Sequence, residues 1–392
     1  MNVAVIGGKL QGLEAAYLAK KAGWQVLVVD RKPDVPAAVI CDQFCCLDIN
    51  RREEFLARLK GIDLIIPALE NRPVLEKITA AGEESGIPVA FDPAAYDISA
   101  SKSVSDRLFS KIGIPAPRAW PDCSFPVIAK PSCSSGSEGV LLIRGPREME
   151  LFKENVGAEF RDWVVQEYLN GPSYSIEVVG HRGAYRAMPV TELEMDDLYD
   201  CKRVLAPPAL SDHHRDQFAQ IAVEIAQKLR LKGIMDVEVI LHRGELKVLE
   251  IDARLPSQTP IAVYQSTGIN MLKSLAAVFL EGRIPAEESL PRLQKASIFE
   301  HIVVSPGKLV VSGEHAVSAA GPLSYCEDFF GADEALTNYR PGNENWTATL
   351  IITGSCRAEA FDKRDRVIEK IRGELGISYY NDPVPVVKEF IS

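Results

Sequence analysis

No apolar run in this 392-residue chain is long enough to cross a bilayer, so no membrane-spanning helix is expected. Positive charge is also short. Lysine and arginine total 44 against 54 aspartates and glutamates, a formal net charge of −10. Such a surface repels nucleic acid and anionic membrane, and neither is expected as a partner. Histidine is scarce at 6 residues, and the 8 cysteines form no Cys-x-x-Cys pair with a histidine at ligand spacing. Zinc and a disulfide framework are therefore unexpected. Reduced, mostly buried thiols in a cytoplasmic protein are the remaining reading. Internal repeats and low-complexity tracts are absent, and Met1 leads straight into the strand-like 3–6 rather than into a secretory signal. With 46% hydrophobic and 25% charged residues, the composition is that of a globular chain of two or three domains.

What is present centres on residues 231–260, L-K-G-I-M-D-V-E-V-I-L-H-R-G-E-L-K-V-L-E-I-D-A-R-L-P-S-Q-T-P. Two strands are expected, 234–241 and 246–252, joined by a turn at 242–245 where Gly244 supplies a permissive backbone. Alternation puts Asp236 and Glu238 on one face of the first strand, opposite Met235, Val237 and Val239. Glu250 and Asp252 share a face of the second, opposite Leu249 and Ile251. Clustered, unpaired carboxylates cost several kcal/mol each when buried. A hard divalent cation bridged to phosphate would turn that cost into binding, with Arg254 as a neighbouring cation. An exposed strand face of mixed charge is the plainer alternative.

The first third reads as alternating strands and helices. A strand at 2–6 leads into Gly7-Gly8-Lys9-Leu10-Gln11-Gly12, a helix is expected from Leu13 to about Ala22, and a strand at 25–29 closes at Asp30. This βαβ unit offers free helix N–H groups to an anion. The dinucleotide fingerprint wants glycine where Lys9 stands, which weighs against a nicotinamide cofactor. Asp30 suits a ribose hydroxyl or an amine equally. Strands at 62–66 and 88–91 follow, and their carboxyl ends should line one crevice near Lys9, Asp30 and Glu70. For Glu70, a helix N-terminal acid is the competing reading.

In the middle of the chain a helix runs to about Ile112 and is broken at Gly113-Ile114-Pro115-Ala116-Pro117. Phe125–Lys130 reads as a strand ending in lysine. Pro131-Ser-Cys-Ser-Ser-Gly-Ser-Glu-Gly139, a small-residue loop, follows it. A lysine ahead of such a loop suits a triphosphate, although the spacing is not that of a Walker loop, and a solvated lysine would look the same. Further strands are expected at 163–169 and 174–179, then an amphipathic helix at 211–230 whose His213 and His214 are surface residues. Beyond about 281 a smaller αβ region follows, with no nameable site.

Taken in order, the glycine turn, the G-I-P-x-P break, the lysine before a Gly/Ser loop, Q-E-Y-L at 166–169, and the carboxylates with E-x-D-x-R at 250–254 resemble the ATP-grasp carboxylate–amine ligases over about residues 1–280. Within that family, G-G-K-L-Q-G-L-E-A-A-Y-L-A-K-K-A-G (7–23), L-K-G-I-M-D-V-E (231–238) and E-I-D-A-R-L-P-S-Q-T-P (250–260) are most similar to members that join an ornithine-type amino acid to lysine.

The resemblance implies an α/β (α+β) ATP-grasp fold. Its parts would be a Rossmann-like N-terminal domain (1–98), an ATP-grasp domain (99–280, with a lid at about 120–178) and a small C-terminal αβ domain (281–392). It implies ATP and Mg²⁺. Lys102 and Lys130 would touch the nucleotide phosphates, Ser135, Gly136 and Ser137 would form the loop over them, and Gln166, Glu167, Tyr168 and Leu169 would hold adenine. Glu238, Glu250 and Asp252 would ligate Mg²⁺, and Lys130 and Arg254 would face charge developing in the reaction. Ser175, Glu177, Asp236, Arg254 and Ser257 would hold the donor, D-ornithine or its 3-methyl derivative, while Lys9, Leu10, Gln11, Asp30 and Glu70 would line the L-lysine side. A homodimer is an open expectation. One departure is Ser173, where many relatives carry a ribose-binding carboxylate. The rivals are another amino-acid ligase of the D-alanine–D-alanine type, an oxidoreductase using NAD, and a nucleotide-binding protein without catalysis.

Overall fold

The computed structural model describes residues 1–133, 139–286 and 293–385. Four parallel strands begin the chain, in the order Gln43–Cys46, Gln25–Asp30, Asn2–Ile6, Leu64–Pro67. The near-continuous apolar character of the last three follows from burial on both faces, whereas Gln43–Cys46, at the edge, has no buried residue. The helix after the first strand starts at Leu10, earlier than expected, with Lys9 as its N-cap. Gly7 adopts a φ of 109°, and a Cβ on Gly12 would lie 2.0 Å from the Gly7 carbonyl oxygen, so both positions need glycine. The strand expected at 88–91 is reduced to one bridge between Ile65 and Val89. Asp92 ends it, since its side chain accepts from the N–H groups of Ala94 and Ala95 and Pro93 opens the helix Pro93–Ser99.

A small antiparallel sheet follows, in the order Leu141–Ile143, Val127–Pro131, Trp163–Glu167. Met149 and Phe152 of the helix Pro146–Val156 fill its core.

The remaining strands form one sheet of 12 strands. It starts at the hairpin Glu245–Asp252 and Gly233–His242 and continues through Ser173–His181, Thr191–Met195 and Cys201–Ala206. Cys201–Ala206 then pairs with Ala296–Ser305, so the C-terminal αβ region extends the sheet of the middle of the chain. The long helix Arg357–Leu375 covers that extension.

In the hairpin, His242 opposes Glu245, leaving Arg243 and Gly244 as the loop. Their φ angles of 53° and 84° give the primed turn that matches strand twist. A bulge sits between Glu238 and Val239 in the pairing: Glu238 opposes Glu250, but Val239 opposes Val248. The extra residue, Leu249, is half-exposed and belongs to none of the buried clusters, so it is not the core partner that strict alternation predicts. The bulge lets Val248 and Ile251 both face the core, against Phe218 and Ile225 of the helix Asp212–Leu229, while Glu250 stays beside Glu238. Burying each such Val or Ile contributes about 1.5–3 kcal/mol, which offsets the crowding of acids on the opposite face.

Candidate active site

Strand register assembles the acids. Asp236 stands opposite Asp252 and Glu238 opposite Glu250. On the other side Asp236 faces Glu177 and Glu238 faces Ser175. All these residues except Glu177 line one cavity, together with Glu70, Arg254 and Ser257. Burial is the main reason their acidities change. Burial, then the neighbouring Glu250 and Glu314, push the Glu238 carboxyl up to about 7. Burial pushes Asp252 up to about 6 despite Arg254, and drives Asp236 upward with the help of Asp252 and Glu238. Glu177, wholly buried, is pushed up by that burial to about 7, although Thr259 Oγ1 donates to its side chain.

The donor set fits a hard divalent cation. It consists of carboxylate oxygens in a crowded, desolvated patch, and Asp252 Oδ1 is buried with no hydrogen-bond partner among the described residues. The protein's own cations stand at these acids. Lys102 Nζ lies 3.1 Å from Glu250, and Arg254 Nε lies 2.7 Å from Asp252. Among the described residues no three such side chains are gathered around one point for an ion.

Arg254 also bonds Glu70, which ties the end of the hairpin to the first domain. The segment after it is gripped from two sides. Gln11 donates to the Leu255 carbonyl, and Gln258 N–H donates to Glu14 of the same first helix. From the C-terminal region, Glu314 accepts from Ser257 Oγ at 3.1 Å and Gln258 Nε2 at 2.9 Å. Glu314 lines the cavity and was missed in the sequence. No local pattern marks it, because it comes from a five-residue helix in a region whose acids carry no motif.

Of the residues expected at the nucleotide, Lys130 is buried at the far end of Val127–Pro131, and Lys102 opens the helix Lys102–Ile112. Burial lowers the Lys130 pKa, and Glu250 opposes that fall. Lys102 N–H donates to the Ser132 carbonyl, which places the helix start beside the small-residue loop. Ser135, Gly136 and Ser137 lie outside the described residues. At the hinge Gln166 is buried. The Glu167 backbone N–H donates to the Arg118 carbonyl at 2.8 Å. Its carboxylate is pushed up by burial but pulled down to about 2 by Arg118 and Lys247, which lies 2.9 Å away. Tyr168 and Leu169 follow, with Leu169 buried.

The structure leaves Lys9, Leu10, Gln11 and Asp30 outside the cavity lining. Lys9 is exposed, Leu10 is core, and Gln11 acts through Leu255. Asp30 spends both oxygens on the turn, accepting from Gly8 N at 2.8 Å and Lys32 N at 2.9 Å. The cysteines are all free, but they are not mostly buried: five are partly exposed and Cys46, Cys133 and Cys356 are exposed. Cys46 ends the edge strand Gln43–Cys46, Cys133 lies in a turn and Cys356 caps a helix, and at each place a small thiol has little apolar surface to cover it. Among the described residues, no helix is long and apolar enough to cross a membrane.

Comparison with known proteins adds the following. The ATP-grasp domain family matches residues 100–258, and the PylC-like N-terminal domain family matches residues 3–90. The chain is 35% identical over 377 residues to the 3-methyl-D-ornithine–L-lysine ligase of Methanosarcina mazei, covering 96% of each protein. It is 36% identical over 366 residues to the ligase of the same name from Methanosarcina acetivorans, covering 93% of this chain and 95% of that one. In fold it resembles the biotin carboxylase domain dimer of Hydrogenobacter thermophilus 2-oxoglutarate carboxylase, solved with MgADP, ADP and bicarbonate. The TM-score is 0.72 at 17% identity, covering 94% of this chain and 89% of that one.

Proposed function

The chain belongs to the family of 3-methyl-D-ornithine–L-lysine ligases, enzymes of the ATP-grasp fold, and from that premise we propose how its residues perform the ligation. The reaction is ATP-dependent formation of an amide between the carboxyl of 3-methyl-D-ornithine and the ε-amine of L-lysine, a step of pyrrolysine biosynthesis. A free carboxylate resists attack because its charge is delocalised and its leaving group would be oxide. Transfer of the γ-phosphoryl group to the donor carboxylate releases ADP and gives an acyl phosphate. The lysine amine then bonds to the acyl carbon, phosphate leaves, and the amine gives up a proton.

The chain's own work is positioning and charge balance. We assign Lys102 and Lys130 to the nucleotide phosphates, with Ser135, Gly136 and Ser137 above them and Gln166 to Leu169 at adenine. Glu238, Glu250 and Asp252 would hold Mg²⁺, which when bound offsets phosphate charge. Ser175, Glu177, Asp236 and Ser257 orient the donor, and Arg254 faces its carboxylate. Glu70 lines the acceptor side, and Gln11 acts there through the Leu255 carbonyl. There Asp30 acts by fixing the turn that carries Lys9.

We keep a division at 1–98, 99–280 and 281–392, with a lid at about 120–178, and a cytoplasmic location, which the free thiols favour. The dimer described for one structural relative makes a homodimer the assembly to test by sedimentation.

The observation that carries this reading is the meeting of Arg254 with Asp252 on one side and Glu70 on the other, which joins the acid hairpin to the first domain. The test is mass spectrometry after incubation with ATP, Mg²⁺, D-ornithine and L-lysine. The product should be the two amino acids less one water, in step with ADP. ADP release indifferent to lysine, or none at all, would overturn it.

A further inference from the structure

Residues 255–260 read Leu-Pro-Ser-Gln-Thr-Pro, and their backbone is strained at one point. Gln258 has φ 65° and ψ −60°, and Thr259 N donates across it to the Ser257 carbonyl at 2.8 Å. That is a γ-turn of the rare, positive-φ kind, which a residue with a side chain keeps only where its surroundings enforce it. Pro256, Ser257, Gln258 and Thr259 all line the cavity, and Thr259 Oγ1 donates to Glu177. The turn therefore sets where the Ser257 hydroxyl and the partner of Glu177 stand.

The enforcing group comes from the first helix, Leu10–Lys21. Glu14 is 2% exposed, lies outside the cavity lining, and accepts from the Gln258 N–H. Gln11, three residues earlier on the same helix face, donates to the Leu255 carbonyl. The helix thus grips the segment at 255 and again at 258.

Leu10, Leu13, Ala15 and Leu18 around Glu14 are core. A carboxyl among them carries a desolvation cost that an aliphatic side chain would avoid. Burial raises the acidity constant of Glu14 well above the usual carboxylate range, and the bond from Gln258 opposes that rise. Its Oε1 is buried with no hydrogen-bond partner among the described residues, so what its side chain supplies to the fold there is one acceptor, aimed at the strained residue.

We infer that Glu14 is a positioning residue for the donor: by accepting from the Gln258 N–H it holds the γ-turn in its strained form, and so places Ser257 and Thr259 in the cavity without touching substrate itself. This rests on the ligase reading above. The position needs an acceptor rather than a charge, which separates glutamine from leucine as replacements.

The experiment follows ADP release by the full-length protein with saturating Mg-ATP and L-lysine and with D-ornithine varied, beside hydrogen exchange of the backbone amides of 255–262. Glu14→Leu removes the acceptor at similar volume. It should lower kcat/KM for D-ornithine by about 10- to 100-fold, the scale of a misplacement of about 1 Å, while the KM for ATP stays within about threefold of wild type. The amides of 257–259 should exchange at least about tenfold faster than in the wild type, and those of 13–21 at the wild-type rate. Glu14→Gln keeps one acceptor oxygen and should retain both the kinetics and the protection. Glu14→Ala carries the same expectations as the Leu variant and replaces it if that variant does not fold. Wild-type kinetics without the acceptor, a Gln variant as poor as the Leu one, or a loss shared by the ATP KM overturns the inference alone. A wild type that releases no ADP overturns the ligase reading and the inference with it.

Discussion

The ammonium of Lys102 lies 3.1 Å from the carboxylate of Glu250, so the first residue of one helix and an acid of the site hairpin neutralise each other. Lys102 is assigned to phosphate and Glu250 to Mg²⁺, and each is the other's stand-in until those ligands arrive. The Glu250 side chain is 34% exposed, so the pair itself is worth no more than about 1 kcal/mol of stability. Removing the acid should therefore cost chemistry and leave the fold. Glu250→Gln is expected to lower ADP release by about 100-fold or more, with the melting temperature within about 2 °C of wild type. A coupled ADP assay beside a thermal melt checks both, and normal turnover would remove Glu250 from the metal site.

Arg254 gives a second prediction, because its fork is used twice, toward Asp252 and toward Glu70. Lysine keeps the charge but is a point donor and cannot hold two carboxylates in one plane. Arg254→Lys should cut kcat by about 100-fold while the KM for ATP moves by less than about threefold. Steady-state kinetics with ATP as the varied substrate separates the two. A rise confined to the ATP KM would place Arg254 with the nucleotide instead of the donor.

Much of this site could be read from the chain before its fold. Period-two alternation put Asp236 and Glu238 on one face, and the register bears that out, with Glu250 and Asp252 directly across. Sequence alone did not reveal the bulge at Leu249, because a bulge changes which residues oppose one another without changing composition. The turn residues Arg243 and Gly244 were legible as a turn, but the positive φ at Arg243 was not. Glu314 was invisible for another reason. It meets Ser257 and Gln258 only because strands after residue 295 extend the central sheet, and that pairing spans more sequence than any local pattern can. Asp30 was legible as an acid closing a strand. Its task, holding Gly8 N–H, depends on a loop geometry shared by ribose-binding and structural acids alike.

Glu177 sets a pH dependence. It is wholly buried, Thr259 Oγ1 bonds one oxygen, and the other has no partner among the described residues. Burial pushes its carboxyl up to about 7 from an ordinary 4.5. Because the folded value is the higher one, its contribution to stability is fully present below about pH 4.5 and is lost as pH rises through about 7. Glu177→Gln should thus melt near the wild type at pH 5 and about 2–4 °C above it at pH 8 without ligands. Donor binding runs the other way, since an ammonium needs the ionised acid. The wild-type KM for D-ornithine should fall between pH 6 and pH 8, and the Gln variant should lose that trend. Parallel melting curves at the two pH values, together with an unchanged KM trend in the variant, would refute both parts.

Glu70 and Asp30 were read together as acids on the acceptor side, and the structure now gives them different tasks. Glu70 lines the cavity and pairs with Arg254, whereas Asp30 holds the backbone of Gly8 and Lys32. Glu70→Gln removes a charge that an incoming lysine would meet, and should raise the KM for L-lysine by about tenfold with little change in melting temperature. Asp30→Ala strips two backbone N–H groups of their acceptor, each worth about 1 kcal/mol, and should lower the melting temperature by several degrees. Its effect on the lysine KM should be the smaller of the two, because it reaches the substrate only through the turn that carries Lys9. Measuring the lysine KM and the melting temperature for both variants decides the matter. Should Asp30→Ala shift the KM more than Glu70→Gln while melting like the wild type, Asp30 contacts the amine and the division of labour is the reverse of this one.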